Sequence, residues 1–198
     1  MGTGIARAMI VATLVLALGG CASSGGSPSG GPLAKVLEAV GLRRAADAPK
    51  EIPVSLYAGA NLNSGNDGQA LAVVVRIYRL RQAQRFEQAP FSAFLDEASE
   101  RAAFGDDLIG TTEIVLQPGQ RHEITERLPA DAEVLGIVAL FRAPAQNRWR
   151  LAFDSAASVK KGITIGLHAC ALTSTSGSLI TQLNEEPHSL ATAKCIGE

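Results

Sequence analysis

Leu71-Ala72-Val73-Val74-Val75-Arg76-Ile77-Tyr78-Arg79-Leu80 reads as one long β-strand. Four of its residues are β-branched, which favours extended backbone. Side chains alternate across a strand, so Val73, Val75 and Ile77 share one face while Val74, Arg76 and Tyr78 share the other. The first face belongs to a core and the second is at least partly polar. Val134 to Phe141 is a nearly continuous apolar run, which suits a central strand covered on both faces.

Other segments repeat the two-residue period. Ile52, Val54 and Leu56 alternate with Pro53, Ser55 and Tyr57. Trp149, Leu151 and Phe153 alternate with Arg148, Arg150 and Ala152, and Ile163, Ile165 and Leu167 with Thr164, Gly166 and His168. Thr111 to Leu116, the Pro118-Gly119 turn and a run to about Leu128 together predict a hairpin. Between Phe91 and Arg101 the period changes. Phe91, Phe94, Leu95 and Ala98 fall at helical spacing behind Pro90, predicting one short helix inserted among the strands. Many short strands with frequent turns and one or two helices argue for a mainly β protein, a two-sheet β-sandwich. No internal repeat is found.

The N-terminus carries a different signal. Arg7 and the terminal amine precede the apolar stretch Ala8 to Leu18, and Leu18-Gly19-Gly20-Cys21 closes it as a lipobox. Ala8 to Leu18 is too short to cross a bilayer, which takes about 20 residues. The expectation is a lipoprotein signal peptide over 1–20 and a covalent lipid on Cys21, with acyl chains dominating membrane affinity at about 0.8 kcal/mol per buried methylene. Ala22 to Pro32 is nearly all Gly, Ser and Pro, a tether composition. Leu33, Val36, Leu37 and Val40 fall at helical spacing, so residues 33–42 are a candidate short helix within the tether segment 21–50. Residues 51–198 form the expected folded domain.

The formal net charge of −1 offers no basic excess for nucleic acid. Once Cys21 takes lipid, Cys170 and Cys195 remain as an even pair in an oxidising compartment, and a disulfide is the natural reading. The competing metal set of His168, Cys170, His188 and Cys195 lacks the usual ligand spacing. Catalytic motifs also fail. His122-Glu123 has no second histidine four residues on, and Gly65-Asn66-Asp67-Gly68 lacks the strand-to-helix context of a phosphate loop. Asp106-Asp107 shapes a turn more readily than it forms an acid pair. Arg76 and Tyr78 suit either a binding site or an arginine bonded to a neighbouring carboxylate, and Trp149 either a partner anchor or core.

Ala60-Asn61-Leu62-Asn63, Val73 to Leu80, Phe86, Phe91 to Leu95, Asp107-Leu108, Pro118-Gly119, Leu135 to Arg142 and Trp149-Arg150 follow one another in an order that resembles the TssJ family. These are the outer-membrane lipoproteins of the bacterial type VI secretion system. The resemblance spans about Ile52 to Phe153 and agrees with the lipobox. It implies a transthyretin-like sandwich on the periplasmic face of the outer membrane, with no enzyme activity and no cofactor beyond the lipid. It also implies binding to the periplasmic C-terminal region of the inner-membrane protein TssM, with multiple copies in the assembled complex. The family's partner-binding loop lies between the first two strands and maps to Asn61, Leu62, Asn63, Ser64, Gly65, Asn66, Asp67 and Gly68. A different class, a module taking a small apolar ligand or another envelope protein through the sandwich, would need an apolar pocket.

Overall fold

The computed structural model describes residues 48–64 and 68–196. The signal segment, Cys21, the tether, the candidate helix at 33–42 and the loop residues Gly65, Asn66 and Asp67 lie outside the described residues. The elements in chain order are β1 (Lys50–Ala58), β2 (Val73–Leu80), α1 (Gln84–Gln88), a 3-10 turn (Phe91–Phe94), α2 (Glu97–Phe104), a 3-10 turn (Gly105–Asp107), β3 (Leu108–Leu116), β4 (Arg121–Leu128), β5 (Val134–Ala139), β6 (Arg150–Asp154), α3 (Ser155–Ser158), β7 (Ile163–Leu167) and β8 (Leu172–Ser176).

Two four-stranded sheets result, ordered β4-β1-β7-β8 and β3-β2-β5-β6. β1 runs antiparallel to β4 and parallel to β7. The expected mainly β sandwich with short helical inserts is the observed fold. The period-two reading of β2 is observed, with the strand starting at Val73 and not Leu71: Val73, Val75 and Ile77 are buried, and opposite the last two on β5 stand Ala139 and Ile137. From the other sheet, Ile52, Val54, Leu56, Ile163, Ile165 and Leu167 complete the main core. All six residues of β5 are buried, as expected of a central strand.

The second face of β2 is covered at Tyr78, where the insert between β2 and β3 folds over it, while Val74 and Arg76 are half-buried. Tyr78 is fully enclosed and packs its ring near Phe86, Phe94 and Phe104, with centroids 5.7 to 5.8 Å away. Its partner across the ladder is Gly136, where an added Cβ would come within 2.7 Å of the Phe86 ring. The helix expected over Phe91 to Arg101 is in fact two pieces. Asp96 accepts a hydrogen bond from Ser99 N at 2.9 Å, capping a new helix and leaving Leu95 56% exposed between the two. Trp149 is buried, as core, but it precedes β6 and packs edge-on against Phe91 and Phe94 in this outer layer instead of sharing a face with Leu151 and Phe153.

The expected hairpin at Pro118-Gly119 is not one. β3 pairs with β2 and β4 with β1, so the turn carries the chain from one sheet to the other. The inward-facing Arg79 of β2 and Glu126 of β4 bridge the sheets at 2.6 Å on that side. On the opposite side β6 and β8 are edge strands, and the C-terminal segment covers both. Asp154 N donates to Ser178 O, Ile180 N to Ala152 O and Ser174 N to Pro187 O, at 2.7 to 2.9 Å.

Candidate functional site

The loop between β1 and β2 begins where Gly59 N donates to Leu167 O at 2.8 Å, holding the end of β1 against β7. Leu62 then turns inward and is fully buried, and its amide and carbonyl bond to Gly59 O and Leu71 N. Asn63 follows in the left-handed region at φ 50°, a conformation asparagine tolerates better than most residues. Its side chain is the loop's joint. Nδ2 donates to Ala72 O and Oδ1 accepts from Arg142 N, both at 2.8 Å, while its own amide donates to His168 O at 3.1 Å.

One buried asparagine thus ties the loop to the strand it leads into, to the β5–β6 connection and to the β7–β8 turn. Of the expected loop residues, Leu62 and Asn63 form the foundation, while Asn61 and Gly68 face solvent and Ser64 is half-buried. The β7–β8 turn is in turn held by Ala145 N, which donates to Cys170 O at 2.9 Å. Cys170 is bonded to Cys195 with their Cα atoms 5.6 Å apart, so the expected disulfide forms. Burial holds the nearby His168 below its ordinary pKa of 6.5, and its Nε2 lies 2.9 Å from Thr173 Oγ1.

The other candidates resolve into structure. Arg76 meets Glu113 at 2.8 Å and Glu100 at 2.5 Å, and Glu100 also accepts the Tyr78 hydroxyl. Burial, reinforced by Glu100, pushes the Tyr78 phenol well above its ordinary range. Burial pulls the Arg76 guanidinium down, but its bonds to Glu113, Tyr78 and Glu100 outweigh this and raise it. The neighbouring-carboxylate reading of Arg76 is therefore the observed one, and the trio clamps α2 onto the sheet. Arg150 donates to the carbonyls of Phe86, Glu87 and Ala89, capping α1, with its guanidinium carbon 4.6 Å over the Trp149 ring. Asp107 lies in a 3-10 turn, accepts the Arg81 amide through its carbonyl and pairs with Arg85 at 3.4 Å. Among the described residues no group of three or more His, Cys, Asp or Glu side chains is placed to hold a metal ion. What the sequence reading missed is Asn63 as an anchor. The available signal was an asparagine in an Asn- and Gly-rich connection, the residue type that enters left-handed turns.

The profile of the family described as "Type VI secretion lipoprotein, VasD, EvfM, TssJ" matches residues 50–170. No match was found among curated proteins. Among solved structures, the T6SS lipoprotein TssJ1 from Pseudomonas aeruginosa is similar at 28% identity and TM-score 0.57, over 65% of this chain and 96% of that one. A chain of a structure described as "Type VI membrane complex" is similar at 26% identity and TM-score 0.59, over 64% of this chain and 98% of that one. A third, from the structure described as "T6SS protein TssM C-terminal domain (869-1107) from EAEC", is similar at 27% identity and TM-score 0.55, over 64% and 98%. The profile takes in seven of the eight strands and the loop between the first two, and this chain belongs to the family of type VI secretion lipoproteins.

Proposed function

We propose that this protein is a non-enzymatic adaptor, anchored by lipid on Cys21 to the periplasmic face of the outer membrane, which holds the type VI membrane complex by binding the periplasmic C-terminal region of TssM. Membership of the lipoprotein family is the observation that carries this reading. Two further facts support it. One similar structure is described as the type VI membrane complex. Another is described as the TssM C-terminal domain.

The β1–β2 loop, residues 61–68, is the proposed contact, its footing held by the Asn63 joint. Confinement by lipid raises the effective concentration of the domain beneath the membrane, so a modest interface suffices once several copies assemble. The alternative, an apolar ligand held inside the sandwich, finds no support in a core whose side chains from both sheets are at or near zero exposure.

Titrating the protein calorimetrically against the periplasmic C-terminal region of the TssM encoded in the same genome tests this. One-to-one binding that weakens when residues 61–68 are replaced by a Gly-Ser turn is expected. Absence of binding between two well-folded partners would sink the adaptor role. Unchanged affinity in the loop variant would move the site elsewhere.

A further inference from the structure

Residues beyond 170 lie outside the family profile, and the segment 177–196 is fastened to the sandwich in two different ways. Its first half is held by the backbone bonds to β6 and β8 and by the buried pair of Arg148 and Glu185 at 2.7 Å. The second half, from His188 onward, is held by the Cys170–Cys195 bond, by a small apolar cluster separate from the main core, and by bonds from Ser189 Oγ and Thr192 N to the Glu185 carboxylate at 2.8 to 3.4 Å. In that cluster Ala145, Cys170 and Ala171 meet Leu190, Ala193 and Cys195. The seat of this second half is also the footing of the β1–β2 loop. Cys170 O accepts from Ala145 N, His168 O from Asn63 N, and Asn63 Oδ1 from Arg142 N, so both turns beneath the disulfide bond to their neighbours in the loop.

We propose that the Cys170–Cys195 disulfide is a redox latch on the β1–β2 loop. A dithiol reductant opens it in a two-electron step. A thiolate of the reductant attacks the sulfur of Cys195, the more accessible partner, and Cys170 leaves as thiolate. The reductant's second thiolate then resolves the mixed disulfide. Both cysteines take up the protons and the reductant becomes a disulfide. Residues 193–196 then depart while Thr192 stays on Glu185, the two turns lose their clamp, and the base of the loop loosens while the sheets stay folded. Weaker grip on the partner follows, a consequence that rests on the adaptor reading, whereas the loosening does not.

Hydrogen exchange on the full chain in detergent tests the latch without any partner. With the disulfide intact and after reduction with dithiothreitol, exchange is followed at the amides of Leu62, Asn63, Leu71 and Ala145, with Val75 and Ile77 in the sheet as internal controls. The expected result is at least tenfold faster exchange at the first four upon reduction, reproduced by Cys195→Ser, with the sheet amides still protected for an hour. Unchanged exchange at the loop base would reduce the disulfide to a tail staple and overturn the proposal. Simultaneous loss of protection at Val75 and Ile77 would overturn it equally, because the bond would then hold the whole fold. Loosening with unaltered partner affinity would keep the latch and remove the loop from the interface.

Discussion

Replacing Asn63 probes the joint on which the proposed contact is built. Asn63→Ala removes both side-chain hydrogen bonds, to Ala72 O and from Arg142 N. At about 1 kcal/mol net each, that loss is about 2 kcal/mol. Alanine at φ 50° adds about 1 kcal/mol of steric cost. The total of about 3 kcal/mol corresponds to a fall of roughly 6 to 12 °C in Tm for a domain of this size. Asn63→Gly removes the same two bonds without the steric cost of the left-handed backbone, so it costs about 1 kcal/mol less than alanine. Urea titrations of the three proteins, with the slope m unchanged, supply the comparison. Alanine within 1 kcal/mol of the parent, or alanine no worse than glycine, would refute the assignment of Asn63 as the joint.

Three other outcomes follow from contacts already described. Reducing the disulfide removes a constraint on a loop of 25 residues, worth about 3 kcal/mol, and lowers Tm by several degrees; an unaltered melt would discard its stabilising role. Tyr78→Phe leaves Glu100 with Arg76 alone and costs about 2 kcal/mol, and a double-mutant cycle with Glu100→Gln gives coupling above 1 kcal/mol; additivity would show that the hydroxyl is not bonded. His168 titrates below 6.5 when folded, so as pH falls through 6.5 the unfolded chain takes up the proton first and stability declines. His168→Gln removes that part of the decline between pH 7.5 and 5.5, and equal slopes in the two proteins would count against it.

The strands with a strict period of two, and the all-apolar β5, were legible because burial on one face or both leaves a direct mark on residue type. Where a local signal has two structural meanings, the reading failed. Pro118-Gly119 makes the same tight turn within a sheet as between sheets, and only the partners of Val75 and Val54 tell the two apart. Phe91 to Ala98 kept helical spacing across a break because the interruption is one Asp96 cap. β8, Leu172-Thr173-Ser174-Thr175-Ser176, shows no apolar alternation, since it is an edge strand whose outer side is covered by polar chain. At the candidate site, the position of the loop came through resemblance and the cysteine pairing through compartment. The division of the loop into buried footing and exposed rim depends on Arg142 and His168, whose proximity no local pattern encodes.

β1 occupies the middle of its sheet, with eight register pairs to β4 and five to β7. Its first residue, Lys50, closes the proposed tether segment, and its last, Ala58, leads into the β1–β2 loop. Under the proposed anchoring, tension between the outer membrane and TssM would run from end to end of this single strand. The pull lies along the strand, so the hydrogen bonds on both flanks are loaded together in shear and cannot be peeled one at a time. Under that proposal the domain acts as a tensile link, with the proposed grip and anchorage at the two ends of a strand bonded along both flanks.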